Sequence, residues 1–225
     1  MQQAYRALRI VAEAQTIRIV LSPHPGELML RELSTACTTF DKQGSSGVKA
    51  VILDFIAGHT AAGAEGETTR QAVIDDACTA LRAVTQPVLA VARGTLSPAA
   101  SALVRVTDLV LAAHEAVLII PGATPGDDTL TGTQAARQGY VTWSVSAQNV
   151  DRETERILDM LRSKSAVALH FVKASVRMGQ KEHQNRLEAL DQVNVFYLTR
   201  VMQTADAHEG LRAFLEKRRP EWKNA

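Results

Sequence analysis

The chain is poor in the features that announce most specialised functions. Only Cys37 and Cys78 among its 225 residues are cysteines, both in apolar stretches with helical spacing, with no C-x-x-C pair and no histidine cluster nearby. That argues against a disulfide framework or a thiolate metal centre and reads as two buried thiols in a reducing compartment. An excess of charge of one sign is also missing, since 25 Lys and Arg face 24 Asp and Glu, leaving a formal net charge of +1. No global field draws the protein to nucleic acid or to an anionic membrane, so any anion site must be local. No apolar run approaches the ~20 residues of a membrane helix. The opening "MQQAYRALRIVAEAQ" lacks the charged start, long apolar centre and small-residue cleavage site of a signal peptide. The expectation is a cytoplasmic protein. Glycine-rich phosphate loops of Rossmann or P-loop type, internal repeats and long Gly/Ser linkers are absent as well.

What is present is an ordered alternation of strand and helix patterns, in a chain apolar enough at 46% to bury one substantial core. "YRALRIVAEAQTIRIVLS" alternates on both sides of a polar interruption and predicts a β-hairpin. "HPGELMLRELSTACTTFDKQ" sets Leu28, Leu30, Leu33 and Phe40 at roughly helical spacing, with "QGSSG" as its closing turn. "VKAVILDF" is a near-continuous apolar strand running into the loop "IAGHTAAGAEGE", and "TRQAVIDDACTALRAV" has helical period. The strand "PVLAVAR", a short helix from Pro98, and the strands "DLVLAA" and "AVLII" follow. Strands apolar on both faces and separated by helices predict a mainly parallel sheet with right-handed crossovers. From Asp151 on, four amphipathic helical segments carry almost no strand signal. The reading is an α/β core over residues 1–150 and a C-terminal helical extension over 151–225.

The motif "vkaviLdf" with a small-residue loop, then "qPVlAvarG" into a helix, then "tDlvlAa", is similar to the crotonase superfamily, the enoyl-CoA hydratase and isomerase family, from about residue 6 to residue 120. The closing "TADAHEGLRAFLEKRRPEWK" resembles that family's C-terminal signature, Thr-x-Asp-x-x-Glu-Gly-x-x-Ala-Phe-x-Glu-Lys-Arg. The resemblance implies a crotonase-like spiral of ββα units, assembled as a homotrimer or hexamer, that binds acyl-CoA and stabilises a thioester enolate. Two backbone N–H groups at helix starts do that work, and by position they fall on Ala62 and Ala99. It also implies that Phe214 and Lys217 reach a CoA held by a neighbouring subunit. Basic residues in a last helical turn equally serve the helix dipole, and the match does not separate CoA contact from assembly.

The same alignment shows what has been lost. Family hydratases carry a catalytic Glu three residues beyond the middle glycine of the turn, where this chain has Ala102. Their second Glu follows a proline after the next strand, where it has Gly122. Ala102 cannot transfer a proton. Ser97 and Pro98 make a good helix start, as N-cap and first helical residue. The segment between Pro121 and "TGTQAARQGYVT" is much shorter than in the family. Among substitutes, Glu65 is a candidate base if its loop turns inward, against its reading as a solvated loop acid. Asp127 and Asp128 form a paired carboxylate near the expected mouth, one of which could hold a raised pKa, against a turn with helix-start acids. His59 and His114 have no Ser or Cys partner at a recognisable nucleophile motif. His170, His183 and His208 are not spaced as a metal site.

Three functional readings follow. One is an accessory or acyl-thioester-binding subunit without hydratase activity, partnered by an active enzyme or by itself. The second is a divergent decarboxylase, thioesterase or isomerase using only the oxyanion donors Ala62 and Ala99. The third relocates the acid to Glu65, Asp127 or Asp128. No tightly bound cofactor is expected, the ligand being a coenzyme A or acyl-carrier thioester. A hetero-oligomer with an intact paralogue fits as well as a homotrimer or hexamer.

Overall fold

A computed structural model describes residues 5–42, 47–56, 69–124, 127–181 and 186–224. The chain opens with the expected hairpin, β1 (Arg9–Glu13) antiparallel to β2 (Thr16–Leu21). Helix α1 (Glu27–Lys42) leads to β3 (Ala50–Phe55), α2 (Gln71–Ala83) to β4 (Val88–Ala92), and α3 (Pro98–Arg105) to β5 (Leu109–Ala113). These strands pair in parallel from β2 to β5, and β8 (Trp143–Val145) adds itself beyond β5, giving the order β1-β2-β3-β4-β5-β8. Every residue of β3 and β4 is buried, as expected of parallel strands covered on both faces.

Helix α1 corrects the sequence reading in one respect. Its inward stripe is Met29, Leu30, Leu33, Ala36 and Cys37, whereas Leu28 is 52% exposed. Leu30 and Leu33 face inward as the spacing predicts, Met29 takes the place expected for Leu28, and the Phe40 side chain lies outside the described residues.

Between β5 and β8 lie the expected strand over "AVLII", extended to Thr124, and two short elements that the sequence did not announce. β6 (Val117–Thr124) and β7 (Asp127–Thr131) form an antiparallel pair apart from the main sheet, and α4 (Gly132–Arg137) follows. Asp127 and Asp128 therefore open a strand, and the helix after it is started by Thr131. Its side chain accepts from Gln134 N, and Gln134 Oε1 accepts from Thr131 N at 2.8 Å, a complete capping box. Gly132 is required there: a Cβ would sit 2.0 Å from the Ala113 carbonyl oxygen.

The four expected α-helices follow, α5 (Val150–Arg162), α6 (Ala166–Lys181), α7 (Arg186–Thr199) and α8 (Ala205–Leu215), although α7 gathers its apolar residues on no one face and so is not the amphipathic helix that was expected. Helix α5 lies in the sheet's own core through Val150, Ile157, Leu158 and Leu161. Beneath it Asp54, buried in β3, accepts from Arg18 at 2.8 Å and from Arg93 at 3.0 Å. The two guanidiniums reach outward to Glu155 and Asp151 of α5. Helix α6 is tied to the core by Lys173, which is buried. Its Nζ donates to Asp108 at 2.6 Å and to the Gln86 carbonyl at 2.6 Å.

Candidate functional site

The β4–α3 turn is held from three sides. Leu96 N donates to Val117 O at 2.9 Å, Ser97 N donates to Pro23 O at 3.0 Å, and Ser101 Oγ accepts from Ile119 N at 2.9 Å. Ser97 caps α3 as read from the sequence, its hydroxyl accepting from Ala100 N at 3.3 Å, with Pro98 in the first helical position. These bonds account for the N–H of Ser97 and Ala100, and proline has none. The Ala99 N–H, by contrast, has no acceptor among the described residues, although Ala99 is buried. An unpaired donor in the first turn of a helix, where the dipole is positive, is chemically suited to an anion. Ala102 lies one turn further along, partly buried against the core.

Within β6, Gly122 adopts a left-handed backbone at φ 75°. Its N–H donates to Asp128 Oδ1 at 2.8 Å, which draws a carboxylate to the position where the sequence alignment places a lost acid. The Asp127 side chain, expected to pair with Asp128, lies outside the described residues, as do His59, Ala62, Glu65 and His183.

The sequence overlooked a partner for His114. Ser144 of β8 places its Oγ 2.8 Å from His114 Nδ1. The pair is exposed and no carboxylate backs the histidine among the described residues. Its members are 30 positions apart on strands that pair only in space, so no sequence motif marks them. His170 stacks on Phe171, which in turn meets Phe196 edge-on at 5.2 Å, a packing role between α6 and α7. Among the described residues no group of three or more His, Cys, Asp or Glu side chains is placed to hold a metal.

Three solved structures superpose on nearly the whole chain. An enoyl-CoA hydratase of Mycobacterium smegmatis matches with a TM-score of 0.78 at 23% identity, covering 96% of this chain and 98% of that one. An enoyl-CoA hydratase/isomerase of Mycobacterium paratuberculosis gives 0.80 at 18% identity over 99% and 100%. One from Marinobacter aquaeolei gives 0.78 at 18% identity over 96% and 98%. Residues 127–225 match the sequence profile of the enoyl-CoA hydratase/isomerase family. This is the crotonase-superfamily fold.

The crotonase signature at the C-terminus now has a physical reading. Thr204 caps α8, its hydroxyl accepting from Ala207 N at 3.1 Å. Asp206 is buried and fixes the tail, accepting from Lys223 N at 2.7 Å, from Asn224 N and from the Ser165 hydroxyl. Glu209 accepts from Arg218 at 2.6 Å and from Glu221 N at 2.9 Å, and these bonds, the Arg218 pair first, hold its carboxyl down at about 2. Gly210 leaves room for the Trp222 ring, whose Nε1 donates to Ser163 O at 3.0 Å. Phe214 and Lys217 stand apart from this scheme. Phe214 is 79% exposed, and Lys217 occupies the left-handed position after the helix at φ 53°. Arg218 N bonds Ala213 O at 3.0 Å and Lys217 N bonds Phe214 O at 3.3 Å, closing a Schellman motif.

Proposed function

We propose that this crotonase-fold chain binds an acyl-CoA or acyl-carrier thioester without hydrating it, and acts as an accessory or acyl-thioester-binding subunit. One observation carries the reading. The buried turn opening α3 keeps an Ala99 N–H without an acceptor among the described residues, while Ala102 stands where the family resemblance puts a proton-transferring acid. Such a donor polarises a thioester carbonyl, and one oxyanion donor is worth roughly 3–4 kcal/mol in known cases. Hydration also requires a proton to be delivered and a water to be activated, each worth about 10²–10⁴-fold. Neither Ala102 nor Gly122 supplies those groups. Ala62 is proposed as the second donor by its alignment. Phe214 and Lys217 are proposed as outward contacts to CoA on a neighbouring subunit, supported by their exposure.

Assembly follows from the same helices. Val195, Leu198, Leu211 and Leu215 are each more than half exposed, apolar surface of the kind that a subunit interface covers. A homotrimer or hexamer, or a hetero-oligomer with an active paralogue, would cover it, and sedimentation velocity distinguishes these. Among the described residues no helix is long and apolar enough to cross a membrane. We assign the protein to the cytoplasm, supported by its composition and its two unpaired cysteines.

The deciding experiment is calorimetric titration with CoA, acetyl-CoA and crotonyl-CoA alongside a crotonyl-CoA hydration assay. Micromolar binding with no hydration is the expected result. Hydration at rates typical of an enzyme defeats the reading, and no binding at millimolar ligand removes the thioester from it.

A second reading has its own observation. Asp128 Oδ1, held 2.8 Å from Gly122 N, supplies a carboxylate for a divergent isomerase, decarboxylase or thioesterase. Conversion of any such thioester by the native protein, abolished in Asp128→Asn with binding retained, would favour it.

A further inference from the structure

A cavity of about 730 Å³ opens at the end of α2 and α3 opposite to the turn that carries Ala99. It lies on the seam where α6 meets the core, and its walls bring together Arg82, Arg105 and Arg177, with Ala83, Val106 and Val176 between them. Its one acid, Asp108, is already engaged. It accepts from Lys173 Nζ at 2.6 Å and from Val88 N at 2.8 Å, and Arg177 approaches it at 3.5 Å. Arg82 and Arg105 have no ion pair among the described residues. Arg177 is oriented by its bond to the Arg82 carbonyl oxygen. A chain with a net charge of only +1 thus gathers three guanidinium groups against one carboxylate in one concave place, two of them exposed and without an ion pair among the described residues.

Two of these arginines end helices, where a cation is favourable without any ligand. That accounts for each separately. It does not account for the third, arriving from α6, nor for a cavity within the size range of small-molecule sites. Guanidinium groups match phosphate oxygens in forked pairs, and the alanine and valine side chains offer an apolar wall.

We propose that this cavity binds a phosphate monoester carried on a small apolar group, with Arg82 and Arg105 gripping the phosphate and Arg177 completing the cradle. Because Arg177 belongs to α6, occupancy would fasten the helical extension to the core. The proposal is independent of the thioester reading, since the cavity and Ala99 lie at opposite ends of α3.

The test uses phenyl phosphate as probe, titrated calorimetrically into the native chain, with phenylacetate as the carboxylate counterpart. Arg82→Gln/Arg105→Gln is the test variant and Arg152→Gln, an exposed position on α5, the control; circular dichroism verifies folding of both. Expected are sub-millimolar binding of phenyl phosphate, at least 10-fold weakening in the double variant, no change in the control, and at least 10-fold weaker phenylacetate. Absence of binding at 10 mM probe, at about the weakest affinity worth calling a site, overturns the proposal. So does equal binding by the double variant. Equal affinity for phenylacetate overturns the phosphate assignment and points instead to an acidic side chain of a partner protein. Saturating crotonyl-CoA is included in a parallel titration, and its success or failure to bind leaves each of these outcomes readable.

Discussion

At the level of single residues, the functional question turns on Ala102 and Gly122, the two positions where the family resemblance puts an acid. Ala102 accepts a larger side chain sterically only at some cost, being partly buried. Gly122 is a harder case, because its φ of 75° is a conformation that residues with a Cβ adopt at a cost of roughly 1–2 kcal/mol. Ala102→Glu alone should therefore fail to produce crotonyl-CoA hydration, and rapid turnover by that variant would show the site to be misaligned. Lys217 presents the reverse situation, a lysine in the left-handed place where glycine is favoured. Lys217→Gly should raise stability in urea unfolding by about 0.5–1 kcal/mol. If the lysine grips CoA, the same change weakens CoA binding, and stability gained at the expense of affinity is the signature of a position kept for contact. An unchanged or lowered midpoint would mean that the Schellman turn carries no strain at Lys217.

Elements were legible in proportion to their length. The hairpin, both long helices of the first half, the buried strands and the helices α5, α6 and α8 each show at least one full period of pattern, whereas α7 spreads its apolar residues around the helix and is marked by length and composition alone. β7, α4 and β8 have three to six residues apiece, too few for a period to emerge. Their signals were punctuation instead: the Thr131–Gln134 capping box and the glycine at 132. "PGDD" misled because two acids before a helical stretch fit a helix start, whereas here the helix begins four residues later. The site was less legible than the fold. Ser97 could be read as a cap, but the unpaired Ala99 N–H, the Asp128–Gly122 bond and the His114–Ser144 pair all join distant segments. Gly132→Ala gives the element-scale prediction. A methyl directed at the Ala113 carbonyl must push α4 away from β5, costing about 1–3 kcal/mol, seen as a lowered urea midpoint with the m-value retained. No loss of stability would mean that α4 is free to move.

For the molecule as a whole, the expected pH dependence of stability runs through Lys173, which ties α6 to the core. Burial pushes Lys173 down from 10.5 to about 8, against the partial support of Asp108. The unfolded chain then holds this proton more tightly than the folded one between pH 8 and 10.5, so the lysine's contribution to stability rises with pH across that window, with a slope of at most ~1.4 kcal/mol per pH unit. Below pH 8 the lysine is charged in both states and its cost is paid in full. The buried Cys37 thiol, pushed up to about 12 by burial, acts oppositely, since its unfolded form ionises first as pH rises. The comparison that isolates the lysine is native chain against Lys173→Met. The difference in unfolding free energy should shift in favour of the native chain between pH 8 and 10, and a difference independent of pH would mean that Lys173 titrates normally.

The way the tail is fastened also provides an optical handle. The chain has two tryptophans. Trp143 sits in the edge strand of the sheet, and Trp222 lies over Gly210 with its indole N–H on Ser163. One indole therefore reports on the sheet and the other on the last turn of the chain to be secured. With Trp143→Phe, emission from Trp222 alone follows release of the tail, and comparison with the far-ultraviolet signal of the helices tells whether the extension detaches before the core melts.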